Sequence, residues 1–350
     1  IKHSMIIITG STGLIGYSAS DYFLQKNIKV IGIDNNMRKY FFGKISSNKF
    51  KENKLKKNNN YIHYSTDIRN QKKIYDIFKK YKNKIKAIIH TAAQPSHDWA
   101  AKEPHTDFSI NATGTLNLLE AYRNFCPEAS FIFTSTNKVY GDTPNYLPLI
   151  ETNSRFEINK KHNFFQKGIN ETMSIDNTTH SLFGTSKLSA DLMVQEYGRY
   201  FNLNTVCFRG GCLTGENHSG AELHGFLSFL VKSIMRDKKY YVFGYKGKQV
   251  RDNIHSLDVI SAFNEFIKKP KTGGKVYNLG GGRENSCSVL EAIQIIENIS
   301  NKKSKFEISK KNRIGDHIWW ISDNSKFIND YPKWKIKISL YKSLERMIDC

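Results

Sequence analysis

Three glycines at three-residue spacing are the first residues of the chain that could bind a ligand. Gly10, Gly13 and Gly16 follow the apolar run 5–8, and a helical pattern begins directly after them. A strand, a glycine turn and a helix in this order let backbone N–H groups approach a pyrophosphate at the helix N-terminus. Asp34 ends a second apolar run 18 residues after Gly16, where a carboxylate accepts hydrogen bonds from an adenosine ribose. The spacing predicts a dinucleotide site.

Small and polar side chains end the next three apolar runs. Asp67 and Ile68 follow the third run and indicate either an adenine contact or a helix N-cap. The fourth run ends at 90–94 in side chains small enough for a cofactor to pass, or for tight strand–helix packing. The fifth ends in hydroxyls at 134–136. Because ligands bind outside the carboxyl ends of parallel strands, these groups are expected at one edge of a sheet.

The elements that must position these groups alternate along residues 5–145. Apolar runs predict strands and the segments between them predict helices, which together indicate a parallel sheet covered on both faces. The Lys- and Asn-rich tract 44–60 is predicted to be a surface loop. Strands are expected at 5–9, 28–33, 61–64, 86–90 and 130–134, and helices at 14–26, 71–81 and 107–125.

Composition limits the class of protein. The 350 residues can bury one large α/β core or two coupled ones. No apolar run approaches the ~20 residues that span a bilayer; no signal peptide is expected, and Ile1–Ser4 is expected to be an expression remnant. Five scattered cysteines without CxxC spacing favour a reducing cytoplasm and no metal site. The net charge of +21 is spread widely without a nucleic-acid-binding motif, so neither nucleic acid nor a membrane is an expected partner.

The motifs in their order resemble one family, the extended short-chain dehydrogenases/reductases of the nucleotide-sugar epimerase/dehydratase branch. Within it, STNKVYGD and GKQVRD are most similar to CDP-paratose (CDP-tyvelose) 2-epimerases. The motifs that carry the resemblance, besides Asp34 and Asp67-Ile68, are GSTGLIG (10–16), HTAAQ (90–94), NATGTLNLLEA (111–121), TSTNKVYGD (134–142), FRG (208–210), GKQVRDNIHSLD (247–258) and VYNLGGG (276–282).

The resemblance implies a Rossmann-type α/β fold, in which a doubly wound parallel sheet is joined to a smaller C-terminal α/β substrate domain. Residues 5–210 would bind NAD, with an insertion near 145–180 that reaches over the sugar. Residues 211–350 would mainly bind substrate, with 247–282 partly returning to the Rossmann core. The polar segment 216–226 would lead into an apolar helix at 226–234. A homodimer through the helices at 107–125 and 185–201 is also implied.

The resemblance further implies a mechanism. In this family a nicotinamide takes hydride from a sugar carbon while a base removes the hydroxyl proton, and hydride then returns to the other face. Thr136 aligns with the family's hydroxyl donor and Lys187 with its lysine. The tyrosine position holds Phe183, whose ring cannot accept a proton. Either Phe183 is an inactivating change or another base acts, and the candidates are Lys138, Cys212, His180, His97 and His218.

Two side chains distinguish between reactions. Sugar 4,6-dehydratases of this family carry an Asp-Glu pair directly after the threonine, whereas this chain has Asn137 and Lys138. Neither is a carboxylic acid, which disfavours dehydration and favours epimerisation. The resemblance also implies that the sugar belongs to lipopolysaccharide or capsule. The alternatives are a catalytically altered NAD- or nucleotide-sugar-binding protein, and another sugar-nucleotide dehydrogenase or reductase.

Ligand contacts complete the expectations. Arg251 would bind the diphosphate through its two-pronged guanidinium, unless it pairs with Asp252. Asp34 favours NAD because a 2′-phosphate would meet its negative charge, while Arg38 leaves NADP as a minor alternative. Trp319 and Trp320 are expected in the C-terminal core. Cofactor contacts are expected at Gly10, Thr12, Gly13, Leu14, Ile15, Gly16, Asp34, Asn35, Asp67, Ile68, Thr91, Ala92, Ala93, Gln94, Asn111, Thr134, Lys187 and Arg209, and substrate contacts at Gln94, Thr136, Asn137, Asn217 and Arg251.

Overall fold

The structure, a computed structural model, describes residues 4–218, 225–309 and 315–350. Residues 1–3 of the predicted remnant and 219–224 of the predicted segment 216–226 lie outside this range. In chain order the strands are β1 Met5–Thr9, β2 Lys29–Ile33, β3 Tyr61–Tyr64, β4 Ile85–His90, β5 Ser130–Thr136, β6 Leu149–Glu151, β7 Phe156–Ile158, β8 Asn204–Gly210, β9 Cys212–Thr214, β10 Tyr240–Phe243, β11 Val250–His255, β12 Lys275–Leu279, β13 Ser286–Ser288, β14 Phe306–Ser309 and β15 Trp319–Trp320. The α-helices are α1 Leu14–Gln25, α2 Arg38–Phe42, α3 Lys49–Leu55, α4 Gln71–Tyr81, α5 His97–Lys102, α6 Pro104–Phe108, α7 Gly114–Phe125, α8 Ser181–Tyr200, α9 Phe226–Met235, α10 Ser256–Lys268, α11 Val289–Ser300, α12 Ser325–Asp330 and α13 Leu340–Ile348.

Seven strands form one sheet in the order β12-β8-β5-β4-β1-β2-β3. The neighbours from β3 to β5 pair in parallel. All five residues of β1 are buried, as expected for a strand whose sheet is covered on both faces. The order reverses between β1 and β4, which is the topological switch point where a doubly wound α/β sheet binds its ligands. The predicted fold class is confirmed.

One predicted helix is longer and less regular than its pattern indicates. The helix expected at 107–125 begins at Pro104, and a π-helical turn, Ser109–Thr113, separates α6 from α7. Such a turn inserts an extra residue into the helix and shifts the direction of the side chains that follow. The apolar spacing could not show this, because it holds on both sides of the insertion.

The prediction of a simple loop at 44–60 is wrong. This tract contains α3, in which Glu52 and Leu55 are buried. Glu52 accepts hydrogen bonds from Lys49 and Lys56, one turn away on either side. Alternating charges of this kind support a helix, and the high lysine and asparagine content concealed it.

The chain divides into two compact units. The first unit comprises the described residues of 1–136, 182–209 and 259–277, and the second those of 137–181, 210–258 and 278–350. The boundaries of these compact units differ from the boundary predicted at residue 210, which separated NAD binding from substrate binding. The first unit contains most of the seven-stranded sheet. The second contains β11, which pairs with β9, β13 and β15.

Each unit has an apolar core of its own. In the first unit, isoleucines of β1, β2 and β4 pack with aromatic residues of β5 and α7. In the second, the core joins α9, α11 and α13, and Leu230, Ile296 and Leu344 are fully buried. None of the described helices has the length and apolar character needed to cross a membrane.

Candidate functional site

The loop after β1 requires glycine at two of its three glycine positions. Gly10 has a φ of 64°, and a Cβ there would lie 2.8 Å from the backbone nitrogen of Ala92. A Cβ at Gly16 would lie 2.0 Å from the carbonyl oxygen of Gly10, whereas one at Gly13 would lie 3.3 Å from the same oxygen. The backbone therefore closes on itself here in a way that side chains would prevent.

The same loop leads into a helix start suited to an anion. Gly13 is the N-cap of α1, and no side chain of the described residues caps it. The first N–H groups of a helix have no partner within the helix and carry the positive end of its dipole. This uncapped helix start suits the predicted pyrophosphate contacts of Leu14 and Ile15, whereas the backbone N–H of Thr12 already donates to Asp34; all three contacts stay predictions.

Asp34 is fixed at the end of β2 beside the glycine loop. Its Oδ2 accepts hydrogen bonds from the backbone nitrogen of Thr12 at 2.9 Å and from the Thr12 hydroxyl at 2.7 Å. Its Oδ1 accepts a third from the backbone nitrogen of Asn36 at 2.7 Å. A carboxylate has about four acceptor positions, so acceptor capacity remains for a ribose hydroxyl.

Asp67 lies next to the same strand end. The Asn35 side chain donates to its Oδ2 at 3.1 Å, and Arg69 forms an ion pair with it at 2.7 Å. Burial raises the pKa of Asp67, but the hydrogen bonds from Arg69 and Asn35 lower it by more and hold the carboxyl ionised. Ile68 is buried, so its side chain belongs to the core and only its backbone can meet a ligand.

The end of β4 carries small side chains beside the glycine loop, as predicted. Thr91, Ala92 and Ala93 are half-buried. The hydroxyl of Thr91 donates to the carbonyl oxygen of Thr9 at 2.7 Å, which ties the ends of β1 and β4 together. Larger residues here would fill the space in front of Gly10.

The side chains of Gln94 and Asn111 form hydrogen bonds within the protein, and their predicted ligand contacts stay predictions. Both are buried, with 1% and 2% of their surfaces exposed. The Gln94 amide donates to Asp107 at 2.7 Å and accepts from the Ser96 backbone at 2.6 Å. Asn111 accepts from the Gln94 backbone at 2.8 Å and donates to Ser186 at 3.0 Å. Their polar atoms are engaged within the protein and fix the loop after β4.

Arg209 is likewise engaged within the protein, and its predicted cofactor contact stays a prediction. Its guanidinium meets Asp191 through Nε at 3.1 Å and Nη2 at 2.8 Å. Both side chains are almost completely buried, and Ser135 donates to the same carboxylate at 2.5 Å. The sequence could not distinguish this buried pair from a phosphate contact, because the two partners lie on separate elements, β8 and α8.

The end of β5 brings a lysine and a threonine to one edge of the sheet. Lys187 donates from Nζ to the carbonyl oxygen of Thr134 at 2.9 Å, and Nζ lies 4.1 Å from the centre of the Phe133 ring. Burial lowers the pKa of Lys187 to about 8. The hydroxyl of Thr134 is buried without a hydrogen-bond partner among the described residues. Thr136, half-buried, ends the strand.

Phe183 shares a helix face with Lys187. The two residues are four apart on α8, so their side chains lie on the same side of the helix. The phenyl ring is 7% exposed, and its centre lies 4.9 Å from that of the His97 ring. An aromatic ring without a hydroxyl group is therefore held on the same face of α8 as Lys187.

The candidate bases outside the first unit differ from one another in burial, pKa and hydrogen bonding. Burial raises the pKa of Cys212 to about 12, so its thiol stays protonated near neutral pH and cannot act as a base. Burial lowers the pKa of Lys138 to about 8. His180 has a buried Nε2 without a hydrogen-bond partner among the described residues, and His218 is 6% exposed.

A second group of charges surrounds β11. Arg251 donates from Nη1 to the carbonyl oxygen of Val250 at 2.8 Å and forms an ion pair with Asp316 at 2.9 Å. Lys138 donates to the Gly315 carbonyl oxygen at 2.8 Å and lies 3.5 Å from Asp316. Among the described residues, Asp316 thus faces two mostly buried cations, and their positive charge suits an anion such as a diphosphate.

The alternative pairing of Arg251 with Asp252 is not formed. Asp252 accepts hydrogen bonds from the backbone nitrogens of Ser322 at 2.9 Å and Gly282 at 3.1 Å. Burial raises its pKa to about 6, although these hydrogen bonds lower it. Asp316 is a partner that the sequence analysis missed, since no local pattern connects it to Arg251.

Three further expectations concern the second unit. Trp319 and Trp320 are fully buried, and the Trp320 ring stacks on Tyr140 with ring centres 5.5 Å apart, which confirms their place in the core. Asn137 is 5% exposed and Asn217 is half-buried. Their contacts with a substrate stay predictions.

Comparison with known proteins adds to the geometry. The NAD dependent epimerase/dehydratase family matches residues 6–280. CDP-paratose 2-epimerase from Salmonella typhi is 31% identical over 349 residues, which cover 98% of each chain. UDP-glucuronate 4-epimerase from Thermodesulfobacterium geofontis is 27% identical, over 98% of this chain and 94% of its own.

A solved structure shares the fold over nearly the whole chain. It is a tyrosine-to-phenylalanine mutant of UDP-glucuronic acid 4-epimerase from Bacillus cereus, in complex with UDP-4-deoxy-4-fluoro-glucuronic acid and NAD. Its TM-score is 0.79 at 24% identity, with 99% of this chain and 98% of that one covered. At this identity the likeness establishes the fold.

Proposed function

Because the chain belongs to the NAD-dependent epimerase/dehydratase family, we propose that it epimerises a nucleotide-diphosphate sugar, with CDP-paratose-like inversion at C2 as its specific reaction. The observation that carries the proposal is the desolvated ammonium of Lys187, which lies at the carboxyl end of β5 in the same unit as the glycine loop and Asp34. Lys187 is an expected cofactor contact, but a desolvated cation at the ligand edge of the sheet favours catalysis over binding alone.

The first unit fits NAD as the cofactor. Gly10 and Gly16 leave open the space that a Cβ would fill, and the uncapped start of α1 can receive the pyrophosphate. Asp34 suits a free 2′-hydroxyl and would repel the 2′-phosphate of NADP. Bound NAD supplies a reversible acceptor for hydride.

The chain's own residues would prepare the sugar for oxidation. The Thr136 hydroxyl can donate a hydrogen bond to the reacting oxygen. The charge of Lys187 stabilises the negative charge that develops there as the O–H proton leaves. Asn137 and Lys138 follow Thr136 directly and provide no carboxylic acid, which supports epimerisation rather than loss of water.

The cations of the second unit support a nucleotide-diphosphate substrate. Arg251 can offer two parallel N–H groups to phosphate oxygens, and Lys138 adds a point charge beside Asp316. Arg251→Met should raise the KM for the nucleotide sugar and leave the Kd for NAD unchanged. Arg283→Met is the matched control, because Arg283 pairs with Glu157 in the same unit.

Isomer exchange tests the proposed activity. The protein is incubated with CDP-, GDP- and UDP-sugars and a trace of NAD, and NMR follows the sugar protons. We expect an epimer of one CDP-sugar to appear without net formation of NADH. Exchange should fall by about 100-fold or more in Lys187→Met, since general catalysis and charge stabilisation are worth at least this much. Stoichiometric NADH would instead identify a dehydrogenase.

Phe183 motivates a second candidate, a protein that binds NAD or a nucleotide sugar without catalysis. The buried Lys187 speaks against it. The variant Phe183→Tyr distinguishes the two. Activity that appears only in Phe183→Tyr would mark Phe183 as an inactivating change in a catalytic scaffold. Tight binding without exchange in either form would favour the binding protein.

We further propose a cytoplasmic homodimer formed through α7 and α8. Four large apolar side chains on or beside these helices are between 37% and 49% exposed, namely Phe108, Leu116, Leu182 and Leu192. A second copy would cover them. Light scattering should give twice the chain mass of 40.3 kDa, and Leu116→Glu should reduce the measured mass to that of one chain.

A further inference from the structure

The Phe183 ring, which occupies the position of the family's tyrosine, lies edge-on against an imidazole. The ring centres of Phe183 and His97 are 4.9 Å apart and their planes meet at 66°. Phe183 is buried and His97 is half-buried. Imidazole is the side chain that most readily exchanges a proton near neutral pH, so a group with the missing chemistry lies beside the ring that lacks it.

A buried polar network holds the backbone directly before His97. His97 is the first residue of α5, directly after Ser96, whose hydroxyl accepts from the backbone nitrogen of Trp99 at 3.4 Å. Gln94 holds Ser96 by accepting from its backbone nitrogen at 2.6 Å and donating to its carbonyl oxygen at 2.8 Å. The chain that leads into His97 is thus held by hydrogen bonds within the protein.

The same network reaches the helix that carries Phe183 and Lys187. Asn111 accepts from the backbone of Gln94 and donates to Ser186 at 3.0 Å, and Ser186 directly precedes Lys187 on α8. Positioning of this kind is what a proton-transfer group needs. In this view Gln94 and Asn111 are positioning residues, because their side chains form hydrogen bonds within the protein.

The other candidate bases do not share a compact unit with Phe183 and Lys187. Of the five, His97 alone belongs to the first unit, together with Thr136, Phe183 and Lys187. Lys138 is engaged by Gly315 and Asp316 within the second unit.

We propose that His97 is the catalytic proton acceptor, in place of the family's tyrosine. This rests on the proposed epimerase function. In the oxidation step the proton of the sugar hydroxyl passes to a ring nitrogen of His97. The electron pair of the adjacent C–H bond leaves as hydride to the nicotinamide dinucleotide, and a C=O bond forms. In the reverse step His97 returns the proton to the ketone oxygen as hydride returns to the carbon, so no net oxidant is consumed.

Kinetics of matched variants test the role. With the nucleotide sugar that the wild-type protein converts, His97→Gln should lower kcat by about 100-fold or more, the usual contribution of a general base. His105→Gln, an exposed histidine on the neighbouring α6, should change kcat less than about twofold. Adding Phe183→Tyr to His97→Gln should raise kcat again by at least about tenfold, because a phenol beside Lys187 can then take the proton.

A binding measurement without turnover gives a second readout. In protein labelled with ¹³C at histidine Cε1, the His97 resonance is identified by its absence in His97→Gln. Saturation of the cofactor-free protein with the nucleotide sugar should shift this resonance and leave that of His105 in place. Circular dichroism checks the fold, and if His97→Gln does not fold, His97→Ala with added free imidazole replaces it, where imidazole should restore turnover.

The outcomes separate the two proposals. Turnover by both the wild type and His97→Gln at similar kcat would overturn the role of His97 and leave the epimerase proposal standing. An unmoved His97 resonance at saturation would also overturn it. Failure of the wild type and of Phe183→Tyr to convert any nucleotide sugar would overturn both proposals together.

Discussion

The glycine loop and the charges around β11 are built in opposite ways. The loop is formed by a short stretch of chain whose backbone touches itself, with Gly16 against Gly10 and Asp34 bound to Thr12. The charge group joins Arg251, Lys138 and Asp316, and the last two are 178 residues apart. The first arrangement is local and nearly uncharged, and the second is long-range and depends on buried ions.

The difference matters for stability as well as for recognition. A backbone loop satisfies its own polar groups, whereas burial of an ion is expensive unless partners compensate for the lost water. Burial lowers the pKa of both Lys138 and Lys187 to about 8, which shows that compensation is incomplete. Such residues are retained where they bind or react rather than where they stabilise.

The largest effect is expected from breaking the long-range ion pair in the first unit. Arg209→Met leaves the carboxylate of Asp191 buried without its guanidinium, and removal of one partner of a buried pair costs about 3–5 kcal/mol of unfolding free energy. Urea unfolding measures this loss. Arg199→Met is the control, because Arg199 and Glu196 are both more than half exposed and should contribute less than about 1 kcal/mol.

Arg209→Met also distinguishes the pair with Asp191 from the predicted cofactor contact of Arg209. If the variant keeps its stability but loses affinity for NAD, the arginine contacts the cofactor after all and the pair with Asp191 is incidental.

A smaller effect is expected from adding a side-chain atom to the glycine loop. Gly16→Ala places a Cβ 2.0 Å from a carbonyl oxygen, against 3.3 Å for Gly13→Ala. We expect Gly16→Ala to weaken NAD binding by about 100-fold and to lower the unfolding free energy by about 1–3 kcal/mol, as overpacking does. Gly13→Ala should change binding by less than about tenfold. Calorimetric titration with NAD measures both, and equal losses would show that spacing alone governs the loop.

The same contrast explains how far the sequence could predict the molecule. The strand–glycine–helix pattern and the position of Asp34 are local, so the sheet and the glycine loop could be predicted closely, while the individual NAD contacts stay predictions. Gln94, Asn111 and Arg209 have residue types that suit ligands, yet their partners lie on other elements, and no spacing rule reveals such partners. Asp316 was missed for the same reason.

The pH dependence of stability sharpens the claim that buried lysines act against folding. The folded-state pKa of Lys187 is about 8, below its usual 10.4, so the folded protein binds this proton more weakly than the unfolded chain does. The stability that the neutral amine allows is therefore fully present only above the unfolded pKa, and it is lost as pH falls through about 8. Lys187→Met removes this dependence, so at pH 7 the variant should be more stable than the wild type by about 1–3 kcal/mol.

The advantage of Lys187→Met should vanish above about pH 10.5, and thermal unfolding across pH 7–11 measures it. Lys72→Met, at a side chain 87% exposed, should show no such trend. A constant difference at all pH values would mean that packing, rather than charge, separates Lys187→Met from the wild type.

The smallest effect concerns α3, the helix hidden in the lysine-rich tract. Burial raises the pKa of Glu52, while hydrogen bonds from Lys49 and Lys56 lower it by more, so the net shift is downward. The contribution of this carboxylate is therefore present above its usual pKa and lost as pH falls through the lower folded value. Both lysines are about half exposed, which limits Glu52→Gln to a loss of about 1 kcal/mol at pH 7.

As pH falls below the usual pKa of a glutamate, the difference in unfolding temperature between Glu52→Gln and the wild type should shrink, because the carboxylate becomes protonated and its contribution is lost. Asp76→Asn removes a mostly exposed pair with Lys72 and should be neutral across the same pH range. If Glu52→Gln behaves like Asp76→Asn, then α3 is held by Leu55 alone. The tract would then resemble the glycine loop, whose structure needs no charge, rather than the ion group around β11.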